Sequence, residues 1–149
     1  VKLAAAAKVL SIPFVYTEQY PRGLGPTDGE ILAALPDGVT SMEKNTFSCC
    51  DEAAFEELLQ GTGRPVPVIF GIETHICVLA TVLDLLEKGR KVVLASDACG
   101  SRDPLKAERA LSAMASAGAM VVPVESVIYH LMGRSGTPEF KELLPLFKE

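Results

Sequence analysis

The sequence predicts a doubly wound α/β domain, a parallel β-sheet covered by helices on both faces. Short apolar runs such as PVPVIF (65–70) and KVVLA (91–95) show no polar alternation, the pattern of strands buried on both sides. Helical periodicity follows each of them, which is the order that parallel strands with crossover helices require. The 149 residues suffice for one such domain spanning 1–149, and 48% apolar against 22% charged residues is the composition of a folded chain.

Residues 1–10 read as an Ala-rich helix and Ile12–Thr17 as a short buried strand. Residues 18–28 are rich in Gly and Pro and read as loop. A short helix around 29–35 ends at Pro36-Asp37-Gly38, and Val39–Glu43 is a brief strand. Ser48 or Asp51 can cap the next helix, which sets Phe55, Leu58 and Leu59 on one face and stops at Gly61. The 65–70 strand leads into a helix over about 74–88 that buries Ile76, Leu79, Val82, Leu83 and Leu86 before Gly89. After the 91–95 strand come a helix over 104–118, a last strand at 119–122, and tail helices near 125–132 and 137–148. In the tail, Leu131, Phe140, Leu143, Leu144 and Phe147 either serve a subunit contact or pack on their own domain. The first element is a helix with no strand ahead of it, so an N-terminal strand is expected to be absent from this sequence.

Composition narrows the function classes. Fourteen Lys plus Arg against nineteen Asp plus Glu gives a net charge of −5 with no long basic run, so no nucleic-acid partner is expected. No apolar stretch is long enough to span a bilayer, and VKLAAAAKVLSIP lacks the apolar core of an export signal, so no membrane partner and a cytoplasmic location are expected. Cys49, Cys50, Cys77 and Cys99 form neither a disulfide framework nor a zinc pattern, and reduced thiols are expected. No metal constellation and no phosphate-cradling glycine motif occurs.

The richest stretch is VIFGIETHICV (68–78), an apolar strand running through Gly71 into a helix whose first turn holds Cys77. Converging N–H groups and the helix dipole there lower a thiol pKa, which suits a nucleophile; a small buried apolar residue is the blander reading. His75 lies two residues from Cys77, on a different helix face, and is badly placed to take its proton. His130 is remote in a tail helix. Lys44, just after the 40–43 strand, would emerge at the carboxyl edge of the sheet, where an ammonium could stabilise a thiolate; a solvated surface charge is the commoner fate of a loop lysine. Asp97 and Arg102 could pair and shape their loop. Cys49-Cys50 reads as two partly buried thiols before it reads as a redox sensor. Thr17-Glu18-Gln19-Tyr20 lines a pocket or makes a turn.

GIETHICV (71–78), DLLEKG (84–89) and SDACGSR (96–102) together resemble the isochorismatase-like (cysteine hydrolase) superfamily, and TEQYPRGLGPT (17–27) with EKNTFSCC (43–50) is similar to its branch of isochorismatase-domain-containing proteins. The similarity runs from the first helix to FKELLPLFKE, with separated motifs in the family's order. It implies a Rossmann-like three-layer sandwich on a six-stranded parallel sheet, with an Asp–Lys–Cys catalytic triad at the strand ends. Cys77 matches the nucleophile and Lys44 the triad lysine, while the triad aspartate belongs to a first, central strand that this sequence lacks. The backbone N–H groups of Glu73 and Cys77 match the oxyanion hole, beside a cis peptide expected between Ile72 and Glu73. Gly71, Ile72, Thr74 and the Asp97–Arg102 loop match positions that shape the site, and Gln19, Tyr20 and Leu24 fall in the loop that sets selectivity. The Asp-x-His ligand set of the metal-dependent nicotinamidases is missing from EQYPRGLGPT, so no metal and no cofactor are expected.

The resemblance thus implies a hydrolase acting on a small-molecule amide or related C–N acyl substrate through a thioester, assembled as a homo-oligomer. Vinyl ether hydrolysis of the isochorismatase type, and a non-catalytic binding or scaffold role, are the alternatives.

Overall fold

Helices and parallel strands alternate along the computed structural model, which describes residues 1–148. The chain divides into two compact units, Val1–Glu43 with Val124–Glu149, and Lys44–Pro123.

The first unit is built on α1 (Lys2–Val9), whose Leu3, Ala4, Ala6 and Ala7 are buried. Small side chains let neighbouring helices approach, and α1 packs on α3 (Gly29–Ala34), α7 (Val124–Met132) and α8 (Pro138–Leu143). Strands β1 (Val15–Gln19) and β2 (Thr40–Lys44) pair in a two-stranded sheet. The 18–28 stretch, read as loop, holds a helical turn, α2 (Pro21–Leu24), with Pro21 at its first position where a missing N–H costs nothing. Thr137 caps α8 by accepting the Phe140 N–H at 3.1 Å. The tail packs on its own unit: Leu143 is buried, Tyr129 meets Phe147 and Phe140 at 5.5 and 6.4 Å between ring centroids, and Lys2 Nζ lies 5.3 Å from the Phe147 centroid. Leu131 stays exposed.

The second unit centres on a parallel sheet in the order β3 (Val68–Ile72), β4 (Val93–Gly100), β5 (Met120–Val122). Leu94 and Ala95 are consecutive, hence on opposite faces, and both are fully buried. Both faces of β4 are therefore covered, as the unbroken KVVLA run predicts. Helix α6 (Pro104–Ser116) packs on β4, β5 and α5 (Leu79–Glu87), burying Ala110 and Met114; it is capped by Asp103 Oδ1, which accepts the Leu105 N–H at 3.0 Å.

Several sequence expectations are corrected. The strands predicted at 65–70 and 91–95 run later, and β4 continues five residues further, to Gly100. The buried stripe of α5 is Val78, Thr81, Val82 and Leu85, while Leu83 is exposed. This i, i+3, i+4, i+7 set is rotated by about one residue from the predicted one, because a polar but buried Thr81 belongs to it. Ser48 caps a short 3-10 turn, Cys49–Asp51, while α4 (Ala53–Gly61) is preceded by Glu52 and has no side-chain cap. The six-stranded sheet implied by the resemblance is not formed by the described residues, whose five strands fall in two sheets. In the second, β3 is an edge strand, with Phe70 partly and Ile72 largely exposed.

Candidate active site

The site is built where β3 ends. Gly71 has φ 131, a backbone conformation that side chains disfavour, and the Ile72–Glu73 peptide that follows is cis, as the resemblance implies. Residues Thr74–Val78 do not begin an α-helix, as the periodicity predicts, but form a π-helical turn closed by the Val78 N–H donating to Glu73 O at 3.3 Å. Cys77 lies half-buried in this turn, ahead of α5. Thr74 is fully buried, and its hydroxyl has no hydrogen-bond partner in the structure.

Lys44, the last residue of β2, is only 4% exposed, so the solvated surface charge is set aside. A buried ammonium needs acceptors for its protons, and Nζ donates to Thr46 O at 2.7 Å and Phe47 O at 2.9 Å. Folding those carbonyls back toward Lys44 requires a tight loop. Glu52 supplies the closure: its Oε1 accepts the Thr46 hydroxyl at 2.9 Å and the N–H groups of Asn45 and Thr46 at 3.3 and 3.4 Å. These bonds hold its carboxyl below the usual range, the Thr46 hydroxyl foremost. Ser48 Oγ accepts the Cys50 N–H, and the buried Cys49 N–H donates to Thr81 Oγ1 at 3.0 Å. Thr81 lies four residues beyond Cys77. The loop that encloses the Lys44 ammonium is thus fastened to α5 about one turn past the cysteine.

The other thiols differ. Burial raises the Cys50 and Cys99 thiols above the ordinary cysteine value, which disfavours thiolate at both. Cys49 is buried beside Thr81, so the vicinal pair sits as structural thiols.

A polar group that sequence reasoning passed over lies next to the turn. His75 Nδ1 is 2.9 Å from Ser101 Oγ and 3.5 Å from Glu73 Oε2, and the Arg102 N–H donates to Glu73 Oε2 at 3.2 Å. Arg102 thus enters the site through its backbone. The signal that could have found this group is the strand ladder: Ile72 pairs with Gly100, so the next residues, Glu73 and Ser101, come side by side.

Gln19, Tyr20 and Leu24 belong to the first unit. Glu18 Oε1 accepts the Thr27 N–H at 2.7 Å and closes their loop; this bond lowers the Glu18 carboxyl pKa. The Tyr20 ring folds over Gly23, where a Cβ would collide with it, and both Tyr20 and Leu24 are exposed. Among the described residues, no three His, Cys, Asp or Glu side chains converge as metal ligands do, and no helix is long and apolar enough to cross a membrane.

Residues 1–126 match the isochorismatase domain family. Isochorismatase domain-containing protein 2 of Xenopus laevis is 38% identical over 148 residues, 99% of this chain and 71% of its own length. Among solved structures, MAR1 ribonuclease from Caenorhabditis elegans is similar at 38% identity and a TM-score of 0.91, covering 98% of this chain and 74% of that one. YcaC from Pseudomonas aeruginosa, solved with hexane-2,5-diol and covalent acrylamide, is 26% identical with a TM-score of 0.87, covering 96% of this chain and 72% of that one.

Proposed function

The chain belongs to the isochorismatase domain family, a family of hydrolases, and on that premise we propose that it is a cysteine hydrolase of small amides or related C–N acyl compounds. The observation that carries this reading is a half-buried cysteine in a π-helical turn at a strand end, with a buried lysine ammonium enclosed by a loop that is bonded to α5, the helix following that turn. The covalent acrylamide in YcaC supports the nucleophile in this reading, since acrylamide bonds a nucleophile through its activated double bond.

In this reading the Cys77 sulfur attacks the substrate carbonyl, with Lys44 in the role of the triad lysine. A C–S bond forms, and the carbonyl electron pair moves to oxygen, where the N–H groups of Glu73 and Cys77 hold it. The oxyanion collapses, the C–N bond breaks, and the amine leaves with the proton taken from the thiol. Water then attacks the thioester, releasing the acid and restoring the thiol. In the family's pattern the proton carrier is an aspartate, the third member of the triad. Gln19, Tyr20 and Leu24 select among substrates, with Ile72 and Thr74 shaping the ground beside Cys77. Self-association into a homo-oligomer is part of the proposal.

The similarity to MAR1 ribonuclease favours a second reading, hydrolysis of RNA. A net charge of −5 works against it, because a polyanion is repelled from an anionic chain. One assay separates the two: purified protein, with Cys77→Ala beside it, is offered primary amides, a vinyl ether and single-stranded RNA. The expected result is amide turnover that falls by roughly 10³-fold or more in Cys77→Ala. Cleavage of RNA or of the vinyl ether without amide turnover, or undiminished amide turnover in Cys77→Ala, overturns the amide reading.

A further inference from the structure

In the scheme above Glu73 contributes only its backbone N–H, and His75, Ser101 and Arg102 contribute nothing. Their side chains and amides are nevertheless joined across two segments that are 26 to 29 residues apart in the chain. The β3–β4 ladder explains how they meet. Pairing of Gly71 with Cys99 and of Ile72 with Gly100 carries both strands to their last rungs, so that Glu73 and Ser101 leave the sheet as neighbours. The ladder ends at that rung. The Glu73 carboxylate reaches across instead and accepts the Arg102 N–H at 3.2 Å, while His75 Nδ1 lies between Ser101 Oγ at 2.9 Å and Glu73 Oε2 at 3.5 Å. The His75 and Glu73 side chains are 16% and 28% exposed; the His75–Ser101 contact is part-buried, while the Arg102 N–H bond to Glu73 lies exposed.

This placement matters because an oxyanion donor works only if its N–H is aimed before the substrate arrives. The orientation of the Glu73 N–H is that of the Ile72–Glu73 peptide plane, and the side chain one bond further along is held by the opposite loop. We propose that Glu73, His75 and Ser101 form a positioning strut that locks the turn carrying Cys77 to the loop after β4 and so keeps the Glu73 N–H aimed. The inference rests on the hydrolase reading, and it makes His75 a positioning residue and not the base.

The test uses the whole chain with His75→Ala, His75→Asn and Ser101→Ala, read by kcat and KM on the best amide of the panel and by hydrogen exchange at the amides of residues 73–78 and 101–103. Asparagine sets an amide nitrogen near the position of Nδ1. His75→Ala is expected to lower kcat by roughly 10- to 100-fold with KM within about twofold, since the lost contact serves the transition state. His75→Asn should recover most of that loss, Ser101→Ala should show a smaller drop, and exchange should quicken in both segments together. Unchanged kcat in His75→Ala, no advantage of Asn over Ala, or exchange unchanged in either segment overturns the strut. If the native chain turns over no amide, the hydrolase reading fails by itself. The exchange result then decides the strut: coupled loosening of the two segments upholds it, and independent behaviour refutes it.

Discussion

Two loops of this protein are closed by the same device, a glutamate carboxylate that accepts from a threonine, yet they end differently. In the loop after β2, Glu52 gathers three donors from Asn45 and Thr46, and the fold shuts the Lys44 ammonium inside against two carbonyls. That loop is also bonded to Thr81 in α5. In the loop after β1, Glu18 closes on Thr27, and what it presents is exposed: Tyr20 and Leu24 point to solvent. A shared closure therefore does not make a shared arrangement: one loop is fixed around an enclosed charge, and the other leaves its side chains to solvent.

The strongest blow to this contrast is Lys44→Met. It should remove most amide turnover, by roughly 10²-fold in kcat/KM. It should also destabilise the fold by about 1–3 kcal/mol, because the Thr46 and Phe47 carbonyls lose their donor. Steady-state kinetics and urea unfolding check both, and a variant as active and as stable as the parent would show that the enclosed charge is idle. Thr81→Val comes next. It leaves the buried Cys49 N–H without its acceptor, at a cost of about 1 kcal/mol or slightly more, with a fall in activity smaller than that of Lys44→Met. If melting temperature and kcat stay put, the tie to α5 is not what fixes the loop.

Acid gives the smallest effect and the finest comparison. The Glu18 and Glu52 carboxyls are both held below the ordinary glutamate range in the folded chain, Glu18 by the Thr27 N–H and Glu52 foremost by the Thr46 hydroxyl. Their contributions are therefore fully present above about pH 4.5 and are lost as pH falls through the lower folded values. Amide exchange followed from pH 6 to 3 should show Thr27 loosening on protonation of Glu18, while Asn45 and Thr46 loosen less, since Lys44 and Thr81 still hold their loop. Equal loosening of both loops would erase the distinction.

Much of the fold was legible in the sequence, because burial on both faces of a strand leaves a local mark. KVVLA has no polar alternation, and Leu94 and Ala95 are indeed both enclosed. The segment GIETHICV likewise announced a strand end with a cysteine turn, and membership of the family follows from motifs of that kind. The features that escaped are those with no local mark. Lys44 itself was legible from its place at a strand end and from EKNTFSCC, but its burial was not, because the acceptors are the backbone carbonyls of Thr46 and Phe47, which every sequence supplies. A π-helical turn over five residues has the same composition as an α-helical one. Along the chain His75 has Cys77 as its neighbouring thiol, and its partner Ser101 comes beside it through strand pairing, which no window along the chain contains.

The β3–β4 ladder itself has a consequence for how this chain can change over time. Between the rungs Ile69–Leu94 and Gly71–Cys99 the ladder advances two residues along β3 and five along β4. The surplus three residues work as slack. Gaining or losing a residue at 96–98 alters only the size of that bulge, with Leu94 and Ala95 still facing the core and Ser101 still beside Glu73. The same change at 93–95 would swap the face on which each later side chain of the strand lies, so that residues fitted to one covered face would meet the other. Length variation in descendants of this sequence should therefore gather in that short span, where the fold can absorb it without disturbing the core.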